Sequence, residues 1–232
     1  MAIETSARPL RADAVANRDR ILSAARDAFV ERGPSAPLDD IARRAGTGIA
    51  TLYRRFPDRE ALMRAVVLDA LERTTAAAKR AAEEADPFQA LVRYMHAALD
   101  IRVAAVIPAL LEEMPLDDEE MRQARSAGSD ALERVVDAAH DGGTLRPDIT
   151  TGDIGILIIR MSRPLPGPFA REINDRLSHR HLDLLVTGLR TRQGRPAKLA
   201  GPALTLPDLQ QMPAADHHPA APSSARASRG RR

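Results

Sequence analysis

From Asn17 to Arg190 the apolar residues return every three or four positions, and wherever that rhythm stops a proline or a glycine stands. Residues three and four apart share one face of a helix, whereas a half-buried strand needs strict alternation. No pair of alternating segments joined by a hairpin turn occurs, and no internal repeat. The residue types agree. Aromatics are 3% of the chain and tryptophan is absent, so the core has to be aliphatic. Alanine, leucine and arginine are good helix formers, and they dominate. Cysteine is absent, which excludes a disulfide framework, a thiolate metal site and a cysteine nucleophile. At 232 residues the chain can bury a core without such staples. The expected fold class is all-α.

Punctuation sets the helix boundaries. Asn17 reads as an N-cap, with Asp19 in the first turn, and Gly33-Pro34 ends the first helix near Arg32. Leu38, Ile41, Ala42 and Ala45 form the stripe of a second helix stopped by Gly46. A third runs over about 49–55, and Asp58 caps a long fourth reaching about Glu84. Asp86-Pro87 opens a helix to about Val106. The acidic run Asp117–Glu120 starts one that ends near His140. Two more are expected from about Thr151 and over about 171–190. Residues 1–16 read as a flexible arm, 17–62 as one domain, 63–193 as a second helical domain, and the Pro/Ala/Arg-rich 194–232 as a disordered tail.

The net charge of +2 is unevenly spread: 1–60 carries 11 Arg against 9 acidic residues, 61–193 is net acidic, and 194–232 is net basic. Basic ends around an acidic middle are compatible with nucleic acid at one end. No apolar run reaches eighteen residues, so no membrane partner is expected. Met1–Arg11 lacks the apolar core of a secretory signal, and a cytoplasmic protein is expected.

Short helix, glycine turn, short helix is the helix-turn-helix pattern. Here it runs Leu38-Asp-Asp-Ile-Ala-Arg-Arg-Ala45, Gly46-Thr47-Gly48, Ile49-Ala-Thr-Leu-Tyr-Arg-Arg55. Ile41, Ala42 and Leu52 would hold the two helices together. The second must enter a major groove about 12 Å wide. Thr47, Gly48, Ile49, Ala50 and Thr51 let its backbone approach base edges. Thr51 and Tyr53 bring hydroxyls, and Arg54, Arg55 and Arg59 bring charge for phosphates. The start of the Asp58 helix offers free N–H groups to one more phosphate. The same pattern also serves as a plain helical hairpin in a core.

The stretches Ile21–Phe29, Leu38–Gly46 and Ala50-Thr-Leu-Tyr-Arg-Arg-Phe56-Pro-Asp-Arg-Glu-Ala-Leu62 resemble the TetR/AcrR family of bacterial transcription regulators. The family motif reads roughly Ala-Gly-Val-Ser-x-Gly-Thr-Leu-Tyr-x-x-Phe, then Lys-Glu-x-Leu. It is matched at Ala45, Gly46, Thr51, Leu52, Tyr53, Phe56, Glu60 and Leu62. Thr47, Gly48, Ala50 and Pro37 depart from it; Gly48 replaces a capping serine at a cost of tenths of a kcal/mol. The resemblance implies an N-terminal helix-turn-helix domain and a C-terminal ligand-binding and dimerisation domain, about nine helices in all. It implies that Thr51 and Tyr53 touch DNA and that Arg59 holds a phosphate. It further implies a homodimer on a double-stranded DNA operator, released by a small-molecule effector.

An effector cavity in 85–190 would draw on Met95, Leu99, Arg102, Val106, Leu110, Met114, Met121, Arg125, Ile158 and Met161. Each of these serves equally as core. Ile154, Leu157, Met161, Leu177, Leu184, Leu185 and Leu189 would suit a dimer bundle, or would close the subunit's own core. His96 and His140 stand alone in the sequence and read as structural. His179 and His181, two apart, point to different helix faces and make a poor metal pair. No cofactor is expected. No Ser-His-Asp spacing, phosphate loop or paired catalytic carboxylates stand out, so an enzyme is not expected. Two rivals stay open: a DNA-binding dimer without an effector, and a ligand-binding module that does not regulate DNA.

Overall fold

The first helix, α1, spans Ala7–Arg32 and so begins ten residues before the expected cap at Asn17. Residues 7–16 show no apolar stripe, which hid them, but alanine, arginine and leucine sustain a helix without one. Pro9 falls in the first turn, where its missing N–H is not needed. Asn17 is therefore interior, its carboxamide oxygen accepting from Arg20 Nη2 at 3.3 Å. The expected flexible arm is helical from Ala7 onward.

The computed structural model describes residues 7–102, 105–107, 110, 118–165, 169–191, 199 and 201, with side chains described from Asp13 onward. Apart from Leu199 and Gly201, the expected disordered tail lies outside the described residues. The described residues fold all-α. After α1 come α2 (Leu38–Arg44), α3 (Ile49–Arg55), α4 (Arg59–Ala81), α5 (Pro87–Ile101), α6 (Glu119–Asp141), α7 (Thr151–Ser162) and α8 (Arg171–Leu189). Residues 105–107 and 110 are helical as well.

Side-chain caps explain several starts. Asp58 accepts from Ala61 N, Asp86 from Phe88 N and Gln89 N, and Asp118 from Met121 N. Thr150 and Asp153 form a reciprocal capping box at α7. One end departs from the sequence reading: α5 stops at Ile101 rather than running to Val106. There Arg102 takes φ 58°, unusual for a residue with a side chain. Burial and an ion pair with Asp175 hold it.

Two aliphatic cores share two helices, α4 and α6. The first joins α1, α2 and α3 to the first half of α4, from Leu62 to Leu71, and takes in Val106, Leu110 and Met121. The second joins Ala78 and Ala81 of α4 to α5, α6, α7 and Leu182 of α8. Helices α4 and α6 thus both pass from one core to the other. Inside the first, Arg26 of α1 makes a buried ion pair with Asp69 of α4, and Arg73 Nε reaches the same carboxylate at 2.9 Å. Burial lowers the pKa of Arg26 against the pull of Asp69.

Candidate nucleic-acid interface

The turn between α2 and α3 is built by the backbone. Gly46 takes φ 66°, a left-handed conformation that suits glycine. Its N–H reaches Arg43 O at 3.1 Å, and Thr47 N–H reaches Ala42 O at 3.0 Å, a complete Schellman motif. Helix α2 has no side-chain cap, but Asp39 and Asp40 lie in its first turn. Asp40 is also a hub: Arg32 approaches at 2.9 Å, Arg44 Nε at 3.2 Å, and Arg43 closer still. Burial raises the Asp40 pKa, yet Arg32, Arg44 and Arg43 together hold it below the ordinary carboxylate range. The hub fixes α2 to the end of α1. Arg43 and Arg44 are therefore occupied by acids rather than held ready for bases.

Helix α3 is pinned from below by Leu52 and Phe56, both buried. What it presents outward is Gly48, Ala50, Tyr53, Arg54 and Arg55, all exposed, with Tyr53 at 48%. Thr47 and Thr51 are half-buried. Ile49 packs partly against the first core, so its side chain anchors the helix. Arg54 Nη2 lies 3.4 Å from Thr51 Oγ1, a polar pair on the exposed face. Arg55 Nη2 donates to Ala14 O at 3.2 Å, tying α3 to the early part of α1.

Arg59 has a structural task. Its Nη1 donates to Pro34 O at 2.7 Å and Ala36 O at 2.6 Å, clamping the α1–α2 loop to the start of α4. The N-terminus of α4 is equally engaged, since Asp58 Oδ1 takes the Ala61 N–H at 2.7 Å. A capping carboxylate there opposes the extra phosphate expected at this helix start.

Farther along α4 a cleft of about 170 Å³ opens between α4, α5 and α6, lined by Leu71, Thr74, Tyr94, Arg125, Ser129 and Leu132, with Gly128 in its floor. Burial pushes the Tyr94 phenol well above its ordinary pKa, so it stays a neutral hydroxyl. Of the expected cavity residues, Arg125 lines this cleft. Leu99, Arg102 and Met161 instead border a polar cleft of about 100 Å³ between α5, α7 and α8. Met95, Val106, Leu110, Met121 and Ile158 are buried core, and Met114 lies outside the described residues. Tyr94, Thr74 and Ser129 were missed. Arg125, Gly128, Ser129 and Leu132 do stand at i, i+3, i+4, i+7 spacing, the one sequence signal that marks this stripe.

Two histidines that look solitary in sequence meet in space. His96 Nδ1 lies 2.7 Å from His179 Nδ1, and their rings are parallel to within 6°. A hydrogen bond between those nitrogens takes one ring as donor and the other as acceptor. Their outer nitrogens face Asp183 and Asp100, each at 3.0 Å, completing a polar ladder between α5 and α8.

On the outer face of α8, Leu184 is 62% and Leu185 41% exposed. Leu182 is the buried one, contrary to the apolar set expected for this helix. Leu177 is half-buried, Leu157 and Leu189 pack partly on the second core, and Ile154 lies within it. Among the described residues no helix is long and apolar enough to cross a membrane.

Comparison with known proteins agrees with this architecture. Residues 21–66 match the family model of bacterial regulatory proteins of the tetR family, and residues 86–191 match the C-terminal domain of SbtR-like transcriptional regulators. The TetR transcription regulatory protein from Mycobacterium vanbaalenii is 32% identical with a TM-score of 0.58, the match covering 79% of this chain and 100% of that one. The TetR regulator SCO0520 from Streptomyces coelicolor is 31% identical with a TM-score of 0.55, covering 75% and 98%. The transcriptional repressor LfrR of Mycolicibacterium smegmatis is 32% identical over 120 residues, 51% of this chain and 61% of that relative's length. With a helix-turn-helix at one end of α4 and a helical domain around the other, the chain belongs to the TetR family of bacterial transcriptional regulators.

Proposed function

We propose that this protein is a dimeric repressor that binds a near-palindromic DNA operator through α3 and leaves it when a small molecule occupies the helical domain. The observation that carries the reading is α3 itself. Leu52 and Phe56 bury one face, while the opposite face exposes Tyr53 beside Arg54 and Arg55. A rigid, small-residue helix flanked by a hydroxyl and guanidinium groups suits a major groove and the phosphates beside it.

A dimer would set two such helices about 34–36 Å apart, one turn of duplex. The exposed Leu184 and Leu185 support a second copy as partner, since an apolar face open to water gains by being covered. Release would follow from linkage: a ligand that prefers a conformer with a different helix separation weakens DNA binding by the same factor.

The test is fluorescence anisotropy with duplexes from the DNA flanking its own gene, across a salt series. Wild type should bind one duplex far better than its scramble, with a log–log salt slope of about −4 to −5. Tyr53→Ala should weaken binding at least about tenfold, the worth of one good contact, without lowering the melting temperature. Equal binding by Tyr53→Ala, or no preference over scrambled DNA, overturns the reading.

A further inference from the structure

We propose that the cleft between α4, α5 and α6 takes a small organic anion, a monocarboxylate bearing one ring or a short branched chain, with Arg125 as the group that recognises the carboxylate. This deepens the effector reading above and rests on it.

The charge balance of the cleft points to an anion. Among the described residues its lining holds one cation, Arg125, and no acid. Arg125 Nη2 is shielded from solvent and has no hydrogen-bond partner. Other shielded arginines have a carboxylate partner within the chain: Arg26, whose Nε is likewise without a hydrogen bond, pairs with Asp69, Arg102 with Asp175, and Arg146 with Asp148. A guanidinium N–H withdrawn from water and left unpaired is costly, so a partner from outside the chain is favoured. The polar cleft near His179 makes the contrast, because there Arg102 and Arg171 already meet Asp175 and Asp27.

Size and lining narrow the class. A dry cavity of about 150 Å³ accommodates one benzene ring, and this cleft measures about 170 Å³. Leu71, Leu132 and the Tyr94 ring offer apolar contact, and Ser129 and Tyr94 offer hydroxyls. Gly128 keeps the space open: a Cβ built there meets only Thr75 Oγ1, at 3.7 Å. Leu71 and Thr74 place the cleft where α4 leaves the first core and before it joins the second. An occupant therefore presses on α4 and α6, the helices that connect the two.

The experiment uses the full chain with benzoate, phenylacetate, 4-hydroxybenzoate and isovalerate, each beside its neutral amide, by thermal shift and calorimetry. At least one acid should raise the melting temperature at concentrations up to about 10 mM, and its amide should not. Arg125→Gln should weaken that acid at least about tenfold, as loss of a charge-assisted hydrogen bond requires. Gly128→Leu, which fills the cleft, should abolish binding. Arg125→Gln should bind DNA like wild type when no acid is present. No response to any of the four acids, an equal response to the amide, or acid binding that survives Arg125→Gln overturns the proposal. If wild type selects its duplex while no acid binds, this inference fails and the DNA reading stands. If an acid binds through Arg125 while no duplex is selected, the site stands and the regulator reading fails.

Discussion

Asp69 is the residue whose loss should cost this fold most for the smallest change in shape. It sits midway along α4 with 7% of its surface exposed and receives Arg26 from α1 and Arg73 from one turn onward. Asp69→Asn keeps the volume and removes the charge. Arg26, itself 7% exposed, then faces Arg73 with no anion between them. Breaking a buried pair on one side costs about 3–5 kcal/mol. The retained amide oxygen still accepts one hydrogen bond, so the lower end, about 3 kcal/mol, is expected. Arg26→Met removes the other partner, but Asp69 keeps Arg73 at 2.9 Å. That loss should be smaller, about 1–2 kcal/mol. The double replacement Arg26→Met with Asp69→Leu leaves no uncompensated charge in the core. It should fall within about 1 kcal/mol of wild type or exceed it. Urea denaturation followed by far-UV circular dichroism reads all three, with the m-value unchanged if only the native state is affected. In a domain of this size Asp69→Asn should lower the melting temperature by about 6–12 °C. If Arg26→Met costs as much as Asp69→Asn, Arg73 is not the second counter-ion. If the double variant is as unstable as Asp69→Asn, the pair contributes by packing and not by charge.

Acid should destabilise the protein in a defined direction. Arg32, Arg44 and Arg43 outweigh the burial that raises Asp40, while Arg64 with the Met121 N–H acts on Asp118 and Arg146 on Asp148, and all three carboxylates titrate below their ordinary range. The unfolded chain therefore binds protons first. Their contribution should be complete above about pH 4 and lost as the pH falls further. Urea midpoints that stay level from neutral pH down to about pH 3 would contradict this, and Asp40→Asn should flatten the acid limb. Arg59→Ala separates a clamp from a phosphate contact. If its main duty is to hold Pro34 O and Ala36 O, the variant should lose about 1–3 kcal/mol of stability and keep the DNA salt slope of wild type. A slope shallower by about one unit at unchanged stability would return Arg59 to the phosphates.

What the sequence made legible is what neighbouring residues decide among themselves. Gly46 ends α2 because a backbone with φ 66° admits glycine at no steric cost. Asp58 starts α4 because its carboxylate reaches a N–H three residues on. Both features flank α3, which is why the bounds of that helix were readable before any fold was known. What escaped was decided at long range. The end of α5 carries no glycine or proline, and Arg102 turns left-handed there while paired with an acid 73 residues away. His96 and His179 meet across 83 residues, a distance no spacing rule spans.

Helix α8 shows why the remainder could not be sorted. It has leucines on more than one face, and periodicity reports that a face is apolar without saying what covers it. Leu182, with Val186 and Leu189 along its stripe, is covered by the subunit's own second core. Leu184 is left open to water. The same distinction applies to Arg125, an unremarkable surface arginine by composition whose terminal nitrogen is buried without a partner. Tyr53 is a third case, an aromatic ring held outward while Leu52 before it and Phe56 three residues on turn inward. In each of the three a group suited to a partner meets none among the described residues. A folded subunit tolerates one such group at little cost. Three of them, set on α3, beside α4 and on α8, are what the proposed partners would use: a duplex, a small anion and a second copy. Because each group belongs to a different surface, substituting one should impair its own binding event and leave the intrinsic affinity of the other two surfaces unchanged.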